Sequence, residues 1–318
     1  MKNKKIVYVE NKDDLVEILN NEVEKNPQNK RMPIILMILL SMAIIAAGYF
    51  GFRLWRYYQD YQEDQKLYGD LREAVLQITD ESEQPEPSTE IAVLESDTKR
   101  NQIKMKKEEQ PFDVDWVALK EVNEDIIGWV YFTGLSQISY PILQADNNEY
   151  YVHRTYDLSS DTSKAGCIFM DYRMADDFSS PYSIIYGHNV RDGSMLSDLA
   201  QLKDQTLYDE EPYFWILTPE GNYRYQIFSI FQCHRSADVF QRSFDGWGEN
   251  FSKWQSELKL RNSMQGDAEL SKDGHVIAFS TCVPNSFDRT IVCGTYIDGD
   301  LIPDPHEKNE IEKTKKYT

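Results

Sequence analysis

Two residues able to carry out acyl-transfer chemistry lie at the ends of apolar runs in the sequence. His188 follows SIIYG and Cys282 ends AFSTC, and a turn-forming stretch comes after each. A cysteine thiolate attacks carbonyl carbon, and a neighbouring imidazole exchanges the protons that such a reaction moves. Strand ends at the rim of a rigid sheet hold reactive side chains firmly and leave them open to substrate. The pair predicts covalent cysteine catalysis in a fold that joins residues almost a hundred positions apart.

Other histidines and cysteines in the predicted strands fit structural roles better. His275 shares a strand with Cys282, but an odd number of positions separates them, so strand alternation points the two side chains to opposite faces. Cys233 and His234 are sequence neighbours and also face opposite sides, so they cannot form a catalytic pair without a bulge. We therefore expect His275 to be structural and Cys233 to fill the core.

The remaining cysteines, Cys167 and Cys293, lie in apolar strand runs and are expected to be buried, although an extracellular location would permit a disulfide. The chain has four cysteines and no Cys-x-x-Cys pair. This pattern predicts neither a zinc site nor a disulfide-rich scaffold.

Short strands are the elements expected to position the reactive pair. The β-type runs, separated by Gly, Asp and Asn turns, are GWVYF (128–132), GCIFM (166–170), SIIY (183–186), RYQIFSIF (224–231), HVIAFSTC (275–282) and TIVCGTYI (290–297). They predict a barrel or a sandwich. A helix is expected to start near Asp115, and a second one over residues 247–260, where aromatic and leucine residues recur every three to four positions.

Several motifs together resemble the sortases, in particular their class B branch. YGHN contains His188, STC ends at Cys282, and Arg289 follows a few residues later on the next predicted strand. The other matching motifs are DIIGWV (125–130), ISYPILQ (138–144), NNEY (147–150), GCIFMDYR (166–173) and DGSML (192–196). The resemblance covers roughly residues 115–298 in the family's order. The chain departs from the family at Ala278 and Phe279, where Thr-Leu is usual, and in its short connection from Cys282 to Arg289.

The resemblance implies a mainly β fold, a closed eight-stranded sortase-type β-barrel with peripheral helices. It implies that Cys282 attacks the Thr carbonyl of a C-terminal, Pro-containing sorting signal on a secreted protein and forms a thioacyl enzyme. An amine from a peptidoglycan precursor or a pilin lysine then completes the transfer. His188 would act as acid and base, and Arg289 would stabilise the oxyanion, without a metal or an organic cofactor.

Four further residues match family positions beside the sorting-signal groove. They are Asn147, Tyr151, Ser280 and Thr281. Ser280 is two residues from Cys282 and shares its face of the predicted strand. We expect all four to contact substrate.

The N-terminal region predicts a membrane anchor. Residues 33–52 contain no charge and are long enough, as a helix, to cross a hydrocarbon core of about 30 Å. A cleaved signal peptide is the alternative, but no Ala-x-Ala site follows the run. Lys and Arg counts on the two sides differ too little to orient the helix. The resemblance implies a single pass, with a cytoplasmic N-terminus and an extracellular catalytic domain on a Gram-positive-type cell.

The chain is expected to divide into six regions. These are a cytoplasmic tail (1–31), a transmembrane anchor (33–52), a helical stalk (53–79), a linker rich in Pro and acidic residues (80–110), the catalytic domain (111–300) and a polar C-terminal tail (301–318).

Charge and residue order narrow the choice of function. A net charge of −19 without a basic cluster argues against nucleic-acid binding. A cysteine endopeptidase that uses water as acceptor is one alternative, although the papain-like order of Cys before His is reversed here. A noncatalytic, membrane-tethered binding module is the other. Product analysis with and without an added amine separates the first from a transpeptidase, and thiol labelling of Cys282 tests the second.

Overall fold

The computed structural model describes residues 27–77, 110–244, 246–266, 268–271 and 274–300. Most of the predicted cytoplasmic tail and linker, and the whole predicted C-terminal tail, lie outside these ranges. The expectations for those segments therefore remain predictions.

The described ranges contain four α-helices, ten strands and two 3₁₀ helices. The α-helices are α1 (Pro27–Val75), α2 (Trp116–Val122), α3 (Gln205–Glu210) and α4 (Glu249–Leu260). The strands are β1 (Leu76–Gln77), β2 (Asp113–Val114), β3 (Ile126–Phe132), β4 (Ser139–Leu143), β5 (Ile168–Met170), β6 (Tyr182–Tyr186), β7 (Tyr213–Leu217), β8 (Asn222–His234), β9 (Val276–Cys282) and β10 (Asp288–Gly299). The 3₁₀ helices are Ser197–Lys203 and Asp238–Phe240.

Eight strands form a closed barrel in the order β10-β8-β7-β3-β4-β5-β6-β9, which confirms the predicted architecture. Most neighbouring strands are antiparallel, whereas β4 with β5 and β6 with β9 are parallel. Closure leaves no unpaired sheet edge and fixes each strand between two neighbours. The C-terminal ends of β6 and β9 consequently lie side by side.

Aromatic packing fills the barrel interior. Phe132, Phe214 and Phe279 lie with ring centroids 5.0–5.1 Å apart, and all three are essentially inaccessible to solvent. Gly294 in β10 leaves room for this cluster, because an added Cβ would lie 2.2 Å from a ring carbon of Phe214. A larger residue at this position would displace the ring from the core.

Two barrel strands are not among the runs recognised from the sequence. Pro141 lies within β4, and a proline normally argues against a strand because it has no N–H to donate. Here only Ile142 and Leu143 of β4 pair with β5, so Pro141 lies outside that ladder. β7 is a short, almost entirely buried apolar run without alternation, a pattern that does not separate strand from helix.

The chain divides into two compact units, residues 1–59 and residues 60–318. In the first unit, α1 is exposed and apolar from Ile34, with a mean hydropathy of 2.4 over its most apolar window. Length and composition allow this part of the helix to cross a membrane, which fits the predicted anchor.

The second unit begins within α1 at Asp60, well before residue 111, where the sequence indicated the start of the catalytic domain. Tyr68, Leu71 and Val75 of α1 are buried in the barrel's core cluster. The predicted stalk is therefore helical to residue 75, but its C-terminal half is packed against the barrel. Helical spacing of apolar residues predicts such a face but does not say what covers it.

Candidate active site

His188, Cys282 and Arg289 lie in a row across three neighbouring strands. Tyr186 of β6 pairs with Ser280 of β9, and extending this parallel register by two residues sets His188 beside Cys282. Arg289 of β10 pairs directly with Cys282 on the other side. Paired residues of adjacent strands present their side chains to the same face. The thiol is thus flanked by an imidazole and a guanidinium.

Backbone and amide contacts fix the junction between β6 and β9. The Gly187 N–H donates to the carbonyl of Ser280 over 3.2 Å. Asn189 donates from Nδ2 to the carbonyl of Cys282 over 2.8 Å. His188 lies between these two links, so its backbone has little freedom to move relative to β9.

The imidazole of His188 is oriented by the segment that contains Val152 and His153. Nε2 of His188 lies 2.7 Å from the Val152 carbonyl oxygen, and the His153 ring stacks on it at a centroid distance of 5.6 Å. A carbonyl oxygen only accepts, so Nε2 carries the hydrogen. Nδ1 is then the nitrogen that remains for proton exchange in the neutral ring.

Burial lowers the pKa of His188 below that of an exposed histidine. The hydrogen bond to Val152 opposes this shift, while the charges of His153 and Arg289 add to it. The ring is therefore neutral in most molecules at neutral pH and acquires a proton less readily than a free imidazole.

The three residues open into one cavity of about 600 Å³. Its wall also contains Asn148, Glu149, Val152, Phe169, Arg173, Tyr186, Gly187, Arg235, Phe240, Ser280 and Thr281. A mixed polar and apolar wall of this size suits a short peptide segment beside the reactive groups.

Ser280 and Thr281 are both in the cavity wall, but they differ in orientation. Alternation along β9 places the Ser280 side chain on the face of Cys282 and the Thr281 side chain on the face of Phe279, inside the barrel. Ser280 is 3% exposed, and its hydroxyl has no hydrogen-bond partner among the described residues. The unsatisfied Ser280 hydroxyl is the better placed of the two to bond a ligand.

The structure places Asn147 and Tyr151 outside the cavity wall, so their expected role as substrate contacts stays a prediction that this cavity does not support. The Asn147 side-chain oxygen accepts from the N–H groups of Glu149 and Tyr150, so it caps a turn. Tyr151 is 1% exposed, and its hydroxyl donates to Asp125 over 2.6 Å. The loop that contains both residues does line the cavity, but side-chain direction within a loop does not follow from a motif.

A buried carboxylate, that of Asp171, joins three residues of the cavity wall. Asp171 is inaccessible to solvent and accepts hydrogen bonds from Arg173, Asn148 and Tyr186 at 2.7–2.9 Å. These three donors line the cavity, although the sequence analysis did not select them. All three lie within the motifs NNEY, GCIFMDYR and YGHN, so the motifs themselves contained the signal.

The remaining histidines and cysteines considered from the sequence lie elsewhere. His275 is 4% exposed and packs edge-on against Trp247, away from the cavity wall. Cys167 and Cys293 are buried and Cys233 is half-buried, and all are free thiols. Burial raises the pKa of Cys233 to about 11 and that of Cys167 to about 12. Such thiols form the reactive thiolate poorly at neutral pH.

Comparison with known proteins identifies relatives of this chain. No family model matches it. Sortase B of Listeria monocytogenes is 31% identical over 164 residues, a match that spans 52% of this chain and 65% of that protein, just under two thirds of its length. Sortase B of Staphylococcus aureus is 25% identical over 253 residues, 80% of this chain and 90% of that protein.

Solved structures agree with the sequence comparison. A crystal structure of sortase B in complex with triglycine matches at a TM-score of 0.52 and 25% identity, over 57% of this chain and 85% of that one. The eight-stranded closed barrel is common to the two folds. Its barrel, its ordered motifs and these relatives make the chain similar to the sortases, and class B-like among them.

Proposed function

We propose that this chain is a membrane-anchored transpeptidase that cleaves a C-terminal sorting signal of secreted proteins and transfers the acyl group to an amine. The observation that carries the proposal is the row of His188, Cys282 and Arg289 along one cavity wall. The signal is a Pro-containing pentapeptide of the type that the class B resemblance favours. The acceptor is the amine of a peptidoglycan precursor or of a pilin lysine.

The first half of the reaction forms a thioester. The Cys282 thiolate attacks the carbonyl carbon of the signal's threonine, and the carbonyl oxygen becomes an oxyanion beside the Arg289 guanidinium. As the oxyanion collapses, the bond to the next residue's nitrogen breaks. Protonated His188 gives its proton to this leaving amine. The products are a thioacyl enzyme and the released C-terminal segment.

The second half reverses the proton flow. An acceptor amine attacks the thioester carbon, and His188 takes a proton from the attacking nitrogen. The C–S bond then breaks, the Cys282 thiolate is regenerated, and a new amide joins substrate to acceptor. Binding of triglycine by a sortase B that resembles this chain supports an acceptor with an unhindered amine.

The depressed pKa of His188 is compatible with this scheme. A lowered pKa makes the imidazolium of His188, once formed, a stronger acid toward the leaving amine. The nearby Ser280 hydroxyl is placed to bond the peptide backbone next to the scissile carbonyl.

The test is to incubate the full chain with pentapeptide substrates and triglycine and to follow the protein and products by mass spectrometry. We expect a thioacyl adduct on Cys282 and an amide product. Cys282→Ala should form neither, whereas the control Cys233→Ser should form both. Release of the free acid alone, with triglycine present, would instead identify a cysteine endopeptidase. Failure of Cys282 to react with a thiol probe would favour a noncatalytic module.

A further inference from the structure

The carbonyl that orients His188 belongs to a loop, so something must hold that loop in place. Val152 lies between β4 and β5 in a stretch without regular secondary structure. Its carbonyl oxygen lies 2.7 Å from His188 Nε2, and the next residue, His153, supplies the stacked ring. Loops on a surface move more than the strands that they join. The orientation of the imidazole therefore depends on how firmly this loop is supported.

Residues 163–167 support the loop through three hydrogen bonds. The N–H of Cys167 donates to the carbonyl of Tyr151, and the N–H of Ser163 donates to the carbonyl of His153, at 3.1 and 2.9 Å. The Cys167 thiol donates to the carbonyl of Arg154 over 3.1 Å. These bonds tie the residues on both sides of Val152 to residues 163–167, the segment directly before β5.

Gly166 packs against the Val152 carbonyl itself. Its φ of +58° lies in the left-handed region that favours glycine. A Cβ at this position would lie 2.3 Å from the Val152 oxygen, so the glycine backbone occupies the space directly behind that carbonyl. Movement of Gly166 would therefore move the hydrogen-bond acceptor of His188.

Two buried side chains of α1 hold the segment 163–167 from outside. The Asp64 carboxylate accepts from the Ser163 hydroxyl over 3.0 Å and from the Ala165 N–H over 3.2 Å. The Tyr68 hydroxyl donates to the Gly166 carbonyl over 2.6 Å. Asp64 is 8% exposed and Tyr68 is 3% exposed. Hydrogen bonds at such buried positions persist because breaking them leaves unsatisfied polar groups.

We propose that Asp64 and Tyr68 are positioning residues for His188. They hold residues 163–167, these hold the Val152 carbonyl, and the carbonyl sets the orientation and the protonated nitrogen of the imidazole. The inference rests on the proposed role of His188 in catalysis. It gives α1 a task in the chemistry beyond anchoring and core packing.

A purely structural role for Tyr68 is the competing explanation, because its ring packs against Tyr140 and Tyr156 at centroid distances of 5.3 and 5.2 Å. Tyr68→Phe keeps this ring packing and removes only the hydroxyl. Tyr156→Phe is a matched control: it belongs to the same aromatic cluster, and its hydroxyl donates to the Leu67 carbonyl over 3.4 Å, away from residues 163–167.

The experiment compares four variants of the full chain in detergent micelles, namely Tyr68→Phe, Tyr156→Phe, Asp64→Asn and Asp64→Ala. For each, kcat and KM of thioacyl formation are measured. Nitrogen NMR of the histidine-labelled chain reports the protonated nitrogen and the pKa of His188, with His188→Gln to assign the signal. His153 and Arg289 also face this ring, so both are left unchanged.

We expect Tyr68→Phe to lower kcat about three- to tenfold with little change in KM, because one buried hydrogen bond is lost. The share of His188 with hydrogen on Nε2 should fall. Its pKa should fall further, since the bond to Val152 raises it. Asp64→Ala should act in the same direction, Asp64→Asn should retain most of the function through its remaining acceptor oxygen, and Tyr156→Phe should match the wild type.

Lower thermal stability of Tyr68→Phe with an unchanged kcat, protonated nitrogen and His188 pKa would overturn the proposal and leave a structural role. Equal effects of Tyr156→Phe would do the same. The NMR measurement needs no turnover, so it tests positioning even where no transpeptidation occurs. Loss of the amide product in the wild type, by contrast, counts only against the proposed function.

Discussion

Arg289 has a fixed position relative to Cys282. It pairs with Cys282 across β9 and β10, and its Nη1 donates to the Asp288 carbonyl over 3.1 Å. A guanidinium held in this way offers several donors of set direction to a carbonyl oxygen that becomes an oxyanion. A lysine at the same position would offer a single mobile charge. The argument for Arg289 is therefore geometric as well as electrostatic.

Replacing Arg289 by lysine should consequently fail to preserve activity. Loss of one oxyanion donor typically lowers the rate about 10²- to 10³-fold, so Arg289→Lys and Arg289→Ala should both lower kcat by about that factor. KM for the sorting peptide should change less. Steady-state kinetics, with circular dichroism to confirm folding, measure both constants. A raised KM with nearly normal kcat for Arg289→Lys would show that the residue binds the ground state instead.

Among the structural elements, the segment directly after β5 contains Asp171, whose pKa is subject to two opposing effects. Asp171 is buried, and burial by itself would raise the pKa of its carboxyl group. Hydrogen bonds from Arg173, Asn148 and Tyr186 outweigh that effect and lower the pKa. The carboxylate therefore joins three separate parts of the cavity wall while remaining charged.

Asp171→Asn should lower the free energy of unfolding by about 1.5–3 kcal/mol at pH 7, since bonds to a charged group are lost. The folded pKa of Asp171 lies below its unfolded value, so the carboxylate's contribution is present above about pH 4 and is lost as pH falls through the folded pKa. The difference in free energy of unfolding between the wild type and Asp171→Asn should therefore shrink as the pH falls. Urea unfolding at pH 7, 5 and 3.5 measures it, with the exposed neighbour Asp176→Asn as control; a constant difference over this range would contradict the assignment.

The elements also show what the sequence could and could not predict. Alternation and apolar runs located six barrel strands, and the strand-end positions of Cys282 and His188 predicted the two residues that the structure brings together in one cavity wall. The sequence did not predict β4 because this strand contains Pro141. A proline is tolerated in a strand only where its nitrogen need not donate a hydrogen bond, and Pro141 lies outside the ladder between β4 and β5. The substrate role of Tyr151 stays a prediction, but the burial of its ring was not foreseen, because a hydrogen bond to Asp125, 26 positions away, decides where the ring lies. Long-range contacts of this kind are not encoded in local spacing.

In the whole molecule, α1 belongs to two compact units. Its exposed apolar part lies before Asp60, and its buried part, with Tyr68, Leu71 and Val75, belongs to the unit that contains the barrel. The last residue of α1 also accepts a hydrogen bond at its carbonyl from the Asp115 N–H, next to the β1–β2 pair. The barrel's core is thus incomplete without the end of this helix.

A chain that starts at Asp60 should therefore fold with a melting temperature close to that of the full chain. A chain that starts at residue 110 should be less stable by several kcal/mol, because each large buried side chain contributes about 1.5–3 kcal/mol. Thermal unfolding of the two fragments side by side provides the comparison. Equal stability would mean that the helix end contributes nothing to the barrel.

The parallel pairing of β6 with β9 has a consequence for how the molecule matures. Tyr186 and Ser280 become neighbours although almost a hundred residues separate them, so this pairing closes a long loop and has a high contact order. Pairings of that kind form late and slowly during folding. His188 and Cys282 meet only at this step, because Cys282 ends β9 and its thiol has no imidazole beside it until β9 pairs with β6. The topology itself therefore delays catalytic competence until the barrel has closed.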